Sequence, residues 1–348
     1  MHIMDKINIG RVCNKENVTK YILCNDTMEV EVMDLGATIM SIKVKDKNGD
    51  FKDVVLGYDT PDEYLKHTYF FGATIGRNAN RIANATCLVD GKSLQLDANN
   101  FDNNLHSGNN VYDINLFILE EFTKNSLTLS ISQEDGAQGY PGNITTKVTF
   151  SISDDCELKI HYSSIADTET VINCTNHSYF NLDGHDSGLI LNQELQLNSS
   201  FYVPVIDYKS IPTGEIAKVD DTPMDFRKMK KIGQDINADF VQLKHTKGYD
   251  HNFCIDKKDD GMNFVAKAKG AESGIIMEVY SDCEGVQLYT GNFIEPHKGK
   301  NGAAYDFRHG FCLETQYYPD AVNQKNFKSP LVPANTLTES DTIFKFKV

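Results

Sequence analysis

Tryptophan is absent from this chain of 348 residues, so aromatic stacking on any ligand falls to its 16 Tyr and 19 Phe. Long apolar runs are missing too: none approaches the roughly 20 residues a membrane helix needs. Met1 to Arg11 alternates charged and apolar residues without a signal-peptide stretch. These features predict a cytoplasmic protein with no membrane partner. Positive charge is in deficit, 34 Lys and Arg against 49 Asp and Glu, and the net charge of -15 argues against nucleic acid or an anionic membrane surface as partner. The eight cysteines (Cys13, Cys24, Cys87, Cys156, Cys174, Cys254, Cys283, Cys312) include no CxxC pair, and free thiols are expected. Sequons such as Asn17-Val18-Thr19 and Asn143-Ile144-Thr145 then carry no glycan. None of the ten histidines pairs with carboxylates at a metal-ligand spacing, and Gly-rich phosphate loops are absent, so neither metal nor cofactor is expected.

What is present is two-residue alternation. Apolar residues fall on odd positions from Leu127 to Ile131 and on even ones from Ile144 to Ile152; Leu158, Ile160 and Tyr162 continue the pattern, as do Leu195 and Leu197. Each run predicts a strand with one buried and one wet face. Turn clusters punctuate them at Lys47-Asn48-Gly49-Asp50, Asp90-Gly91, Asp135-Gly136, Asp183-Gly184 and Asp260-Gly261. Helix signals are few. Thr60-Pro61-Asp62-Glu63 offers an N-cap, proline at N1 and first-turn acids, which predicts a short helix over 61–66; a second is expected over about 225–231. With no repeat or linker, the chain is expected to form a single all-β domain over residues 1–348, a large antiparallel β-sandwich with few short helices.

Two distant segments carry proton-transfer residues framed by neutral hydrogen-bonding ones. In Asn176–Leu182, an extended chain puts His177, Tyr179 and Asn181 on one face and Ser178, Phe180 and Leu182 on the other. In Leu313–Asp320, Glu314 and Gln316 share a face, followed by Tyr317, Tyr318 and Asp320. A histidine and a carboxylate among amides and phenols suit acid–base chemistry on a neutral, hydroxyl-rich molecule, a sugar. Glu314 reads alternatively as a solvated edge-strand residue. His106, before Ser107-Gly108, suits a loop that a ligand approaches closely. Arg77 and Arg81 suit ion pairs, or, for Asn80 and Arg81, a fork onto vicinal hydroxyls. Asp250 suits two adjacent hydroxyls or a turn cap, and Gln287 shares a strand face with Tyr289.

Taken in order, Gly76–Ile82, Leu105–Gly108, Asn176–Leu182, Tyr249–Phe253, Gly285–Asn292 and Leu313–Gln316 resemble the motifs of the aldose 1-epimerase (galactose mutarotase) family across nearly the whole chain. The resemblance implies the galactose mutarotase-like supersandwich and cofactor-free interconversion of the α- and β-anomers of aldohexoses such as galactose and glucose. It further implies Glu314 as general base, His177 as general acid and His106 as a second histidine near the ring oxygen. Asn80, Arg81, Tyr179, Asp250 and Gln287 correspond to hydroxyl-binding positions. The implied partner is a small aldose, the protein itself being a monomer or homodimer. An ionised Glu314 and a charged His177 are expected to stabilise one another, with the acid limb of the pH profile from Glu314 and the basic limb from His177. The chain departs from the family at Ser107, where glycine is usual, at Val111-Tyr112-Asp113, and at Phe117, where tryptophan is common. Three alternatives compete: a phosphorylated or pentose substrate, a sugar-binding module without catalysis, and glycoside hydrolysis with Asp250 as second carboxylate.

Overall fold

The structure, a computed structural model, describes residues 5–12, 16–110 and 112–348. Three antiparallel sheets dominate it. An N-terminal meander of five strands runs from Asp5–Val12 to Phe51–Asp53. A nine-stranded sheet begins with Ile118–Phe122, Ser126–Gln133, Ile144–Ile152 and Glu157–Ala166. The C-terminal strand Thr338–Lys347 is inserted between Glu157–Ala166 and Ile276–Ser281, so segments far apart in sequence close one sheet. The third sheet orders Ala217–Lys218, Phe201–Val203, Asp250–Cys254, Gly285–Tyr289 and Cys312–Gln316.

The predicted alternation is realised where it was legible. Ile144–Ile152 buries every even residue, and pairs in unbroken register with Glu157–Ala166. Leu127, Leu129, Val148, Phe150, Leu158 and Ile160 meet Phe253, Val286, Leu288 and Leu313 of the third sheet in one apolar cluster. Each fully buried aliphatic or aromatic side chain there contributes about 1.5–3 kcal/mol of transfer free energy. The third sheet therefore has one face committed to the core, and its other face is free to be polar.

Helix Pro61–Lys66 forms as expected: Glu63 reaches back to accept from the Thr60 N–H (3.1 Å) and hydroxyl (2.8 Å). The helix expected over 225–231 is not there. The Asp225 carboxylate accepts from the Arg227 N–H (3.0 Å) and the Thr222 hydroxyl from the Met224 N–H (3.1 Å), which turns the chain; Lys230–Lys231 is a short strand. Local side-chain bonds to the backbone outcompete helix formation. The second helix is instead Val241–Thr246, burying Gln242, Leu243 and Thr246. Among the described residues no helix is long and apolar enough to cross a membrane. Cys87, Cys156, Cys174, Cys254, Cys283 and Cys312 are free thiols; Cys13, Met1–Met4 and Val111 lie outside the described residues. Phe117 packs edge-on against Tyr112 in the main core.

Candidate active site

Strands Asp250–Cys254, Gly285–Tyr289 and Cys312–Gln316 pair so that Asn252, Gln287 and Glu314 form one cross-strand row and Asp250, Tyr289 and Cys312 the next. All six side chains project from the face opposite the core, because residues two apart share a face. This row pattern is what converts three hydrophobic strands into a polar floor. Above it lies a cavity of about 540 Å³ lined by His106, His177 and Glu314, together with Asn80, Arg81, Tyr179, Asp250 and Gln287. Every residue the sequence motifs nominate for catalysis or hydroxyl binding thus faces a single space.

Glu314 stands on the edge strand of its sheet, yet is only 2% exposed. The segment carrying His177 covers that edge: Phe180 bridges Phe311, and the Tyr317 N–H donates to Asn173 Oδ1 (3.0 Å). His177 Nε2 lies 3.6 Å from Glu314 Oε1, and His177 Nδ1 lies 3.5 Å from Cys312 Sγ. Tyr179 stacks on the His177 ring at 5.1 Å between centroids. Backbone bonds fix the segment, with the His177 N–H donating to the Ala73 carbonyl and its own carbonyl accepting from the Gly72 N–H. Gly72 has φ +66, and a side chain there would run into the Ile39 carbonyl.

His106 is held from the other side. Its Nδ1 accepts the Asn80 N–H at 3.1 Å and its own N–H donates to the Asn80 carbonyl at 3.0 Å. An accepting Nδ1 places the ring proton of the neutral imidazole on Nε2, so His106 offers the cavity a donor. The same fact bears on metal binding. His106, His177 and Glu314 have ligand atoms within 4.8 Å of one another, a cluster that sequence spacing concealed. With its proton on Nε2 and Nδ1 occupied, His106 has no lone pair to give, so this donor set does not suit a metal ion. Ser107, the departure from glycine, adopts φ +73 and is fully buried; its hydroxyl accepts the Asn78 N–H at 2.7 Å, closing the loop by a bond instead of by smallness.

The floor is tied together by Gln287 Nε2 donating to Asp250 Oδ1 at 2.7 Å, with Arg81 Nη2 3.9 Å from Asp250 Oδ2. Arg81 Nε donates to Asn100 Oδ1 (3.1 Å). Of the cavity-lining residues, Glu314 Oε2 and Gln287 Oε1 are buried and make no hydrogen bond among the described residues; both polar side-chain atoms of Asn252, in the same cross-strand row but outside the cavity lining, are likewise unpartnered among them. Orphaned buried polar atoms are costly, and the two on the cavity wall suit a polar partner there.

Burial governs the protonation of this site. It pushes Glu314 well above the usual carboxylate range, Asp250 adding to the push and Arg81 opposing it. It pulls His177 down to about 4, with a backbone hydrogen bond opposing and Arg81 reinforcing the fall. His106 is pulled well down by burial and then by His177 and Arg81. Burial thus works against the mutual charge stabilisation expected of Glu314 and His177 across 3.6 Å, and it pushes both towards their uncharged forms.

Several nominated neighbours do other work. Asn181 receives bonds from Gln193 and Ser187 and donates to the Gly188 and His309 carbonyls; Asn176 ties Ser178 to Gly72. Arg77 is fully buried and has no ion pair among the described residues, donating instead to the Pro141 carbonyl and Thr170 hydroxyl. Asp320 receives the Ala83 N–H, Tyr318 packs on Phe327, and Tyr317 lines a separate cavity of about 180 Å³. Conversely, Phe70, Asn100 and Lys247 line the main cavity without having been nominated. Phe70 meets the rings of His106 (5.0 Å) and His177 (5.8 Å) from a backbone at φ +59, which nothing in Tyr69-Phe70-Phe71 announces.

Comparison with known proteins accords with this geometry. The aldose 1-epimerase family matches residues 19–345. Human galactose mutarotase is 42% identical over 332 residues, covering 95% of this chain and 94% of its own. The aldose 1-epimerase of Escherichia coli strain K12 is 34% identical over 306 residues, 88% of each. Among solved structures, an aldose epimerase homologue from C. elegans superposes with a TM-score of 0.86 at 28% identity, covering 94% of this chain and 98% of its own. Galactose 1-epimerase from Lactobacillus acidophilus NCFM gives 0.86 at 25% identity over 99% and 98%. The chain belongs to the aldose 1-epimerase family.

Proposed function

We propose that this protein is a cytoplasmic, single-domain aldose 1-epimerase that interconverts the anomers of aldohexoses such as galactose and glucose, with Glu314 as base and His177 as acid. The observation that carries this is the 3.6 Å approach of Glu314 Oε1 to His177 Nε2 on the wall of the cavity they share with the hydroxyl-binding candidates. Ring opening requires a proton removed from one sugar oxygen and added to another. Glu314 takes the proton of the C1 hydroxyl, the O–H electron pair forms the C1 carbonyl, and the bond from C1 to the ring oxygen breaks. That oxygen keeps the bonding pair and takes a proton from His177 Nε2. The C1 group turns about its bond to C2; on reclosure the proton movements reverse, delivering the other anomer with both residues restored. No electron leaves or enters, so the chemistry needs only these protons.

The shifts caused by burial suit these roles. A carboxylate with a raised pKa is a stronger base, and an imidazolium with a lowered pKa is a stronger acid. The uncharged pair holds the same protons as a carboxylate facing an imidazolium, so one proton crossing between them arms the site. His106, with Nε2–H as donor, is placed to bond the ring oxygen or a neighbouring hydroxyl. Asn80, Arg81, Tyr179, Asp250 and Gln287 bind the remaining hydroxyls, the Asp250 carboxylate being held for that purpose by Gln287.

Polarimetry tests the assignment. Freshly dissolved α-D-galactose and α-D-glucose are expected to relax to their usual equilibrium faster with the protein, and Glu314→Gln is expected to lose about 10²–10⁴-fold in kcat while still binding sugar. Full activity in Glu314→Gln overturns the base; sugar binding without any acceleration of relaxation makes the protein a binding module.

A further inference from the structure

We propose that Cys312 is a positioning residue whose sulfur accepts the Nδ1 proton of His177 and so reserves Nε2 as the atom that exchanges protons with the sugar. The proposal rests on the assignment of His177 as the acid. Cys312 and Glu314 are alternate residues of one strand, about 6.6 Å apart along it, and both project toward His177. One meets Nδ1 at 3.5 Å and the other approaches Nε2 at 3.6 Å, so a single strand brackets the imidazole along the line of its two nitrogens. Stacking on Tyr179 and edge contact with His106 fix the plane of the ring between them.

The direction of the sulfur bond follows from the chemistry. An acid acting through Nε2 must keep its other proton on Nδ1 after the transfer. If the thiol donated to Nδ1, the neutral ring would carry its proton on Nε2 and could not release it without becoming an anion. With sulfur as acceptor, Nδ1–H is present both before and after the transfer and nothing reorganises. Cys312 is fully buried, and burial holds it as the neutral thiol. A neutral sulfur is a weak acceptor. A carboxylate in its place would stabilise the imidazolium and blunt the acid. Sulfur therefore fixes the tautomer while leaving the Nε2 proton easy to give. The other groups facing this ring are Glu314, Arg81 and the rings of His106, Tyr179, Tyr289 and Phe70. Tyr179 stacks on the ring, His106 and Tyr289 meet it edge-to-face, Glu314 approaches Nε2, and Cys312 is the partner at Nδ1.

The test combines imidazole ¹⁵N NMR of the reduced, sugar-free protein at neutral pH with kinetics of Cys312→Ala, Cys312→Ser and His177→Gln. The His177 signals, assigned by their loss in His177→Gln, are expected to show protonated Nδ1 and unprotonated Nε2. Cys312→Ala is expected to admit the Nε2–H tautomer. Cys312→Ser, whose hydroxyl donates readily, is expected to favour it. Each variant is expected to lose about tenfold or more in kcat, in line with the cost of a wrong histidine tautomer elsewhere, with KM changed by less than about twofold. A wild-type ring protonated on Nε2 overturns the proposal. So does a variant with the altered tautomer and undiminished kcat, or one with lower kcat and an unaltered tautomer, which would be a packing effect. Because the NMR readout needs no turnover, the two failures separate: an active His177→Gln removes the acid assignment itself, whatever the tautomer.

Discussion

His177 and His251 are both buried histidines beside the floor of the site, and burial lowers both, to about 4 and about 3. Their surroundings differ. His251 points into the core, away from Asp250 and Asn252. Its Nδ1 accepts the Asp250 N–H at 3.2 Å and its Nε2 meets Gln242 Oε1 at 3.2 Å, so both nitrogens are satisfied by groups that do not titrate. His177 faces the cavity between a thiol and a carboxylate, with Glu314 Oε2 left without a partner among the described residues. A depressed pKa therefore reports burial in both residues, and only the partners and the access to a ligand separate a proton donor from a structural bond.

The sharpest way to break this comparison is kinetic. His177→Gln is expected to lose about 10²–10⁴-fold in kcat, whereas His251→Leu, which meets Asp250 only at its backbone N–H and leaves the carboxylate in place, is expected to stay within about threefold. Equal losses measured by polarimetry would erase the distinction. In equilibrium denaturation the order inverts. His251→Leu leaves the Asp250 N–H without its imidazole acceptor and is expected to cost about 1–3 kcal/mol, with His177→Gln costing less.

The pH profile sharpens the same contrast. The sugar-turning form of the pair carries one proton too many once His177 is protonated below about 4, and one too few once Glu314 ionises well above the usual carboxylate range. The acid limb of kcat/KM is thus expected near pH 4 and belongs to His177, the basic limb to Glu314. That order reverses the one expected of a solvated glutamate and a solvated histidine. An acid limb near 6.5 would show that His177 is not depressed. The smallest effect is on stability. Unfolded histidines bind protons below about pH 6.5, which buried His177 and His251 refuse, so melting temperature is expected to fall as pH drops from about 6.5 towards 4. His251→Leu is expected to flatten part of that slope.

Much of this was legible in order along the chain. The alternation in 144–152 fixes a half-buried strand because a pleated chain can bury only every second residue. The cap at Thr60-Pro61 fixes a helix because its bonds are all local. The segment 225–231 misled because Asp225 and Thr222 had two uses for their oxygens, and the turn won. The motifs around His177 and Glu314 singled out the proposed acid and base as residue types, since alternation already put them opposite apolar neighbours. What only the tertiary structure decided is what depends on distance between segments. Cross-strand register brought Asp250, Gln287 and Glu314 onto one floor. Closure around them removed the water that would have kept Glu314 and His177 near their ordinary protonation ranges. It turned Asn181, Arg77 and Asp320 inward as braces, and it brought Phe70 over two histidines and Cys312 to Nδ1 of His177. Residue type and periodicity are local properties and travel with the sequence; desolvation and hydrogen-bond partnership exist only once remote segments exclude solvent together.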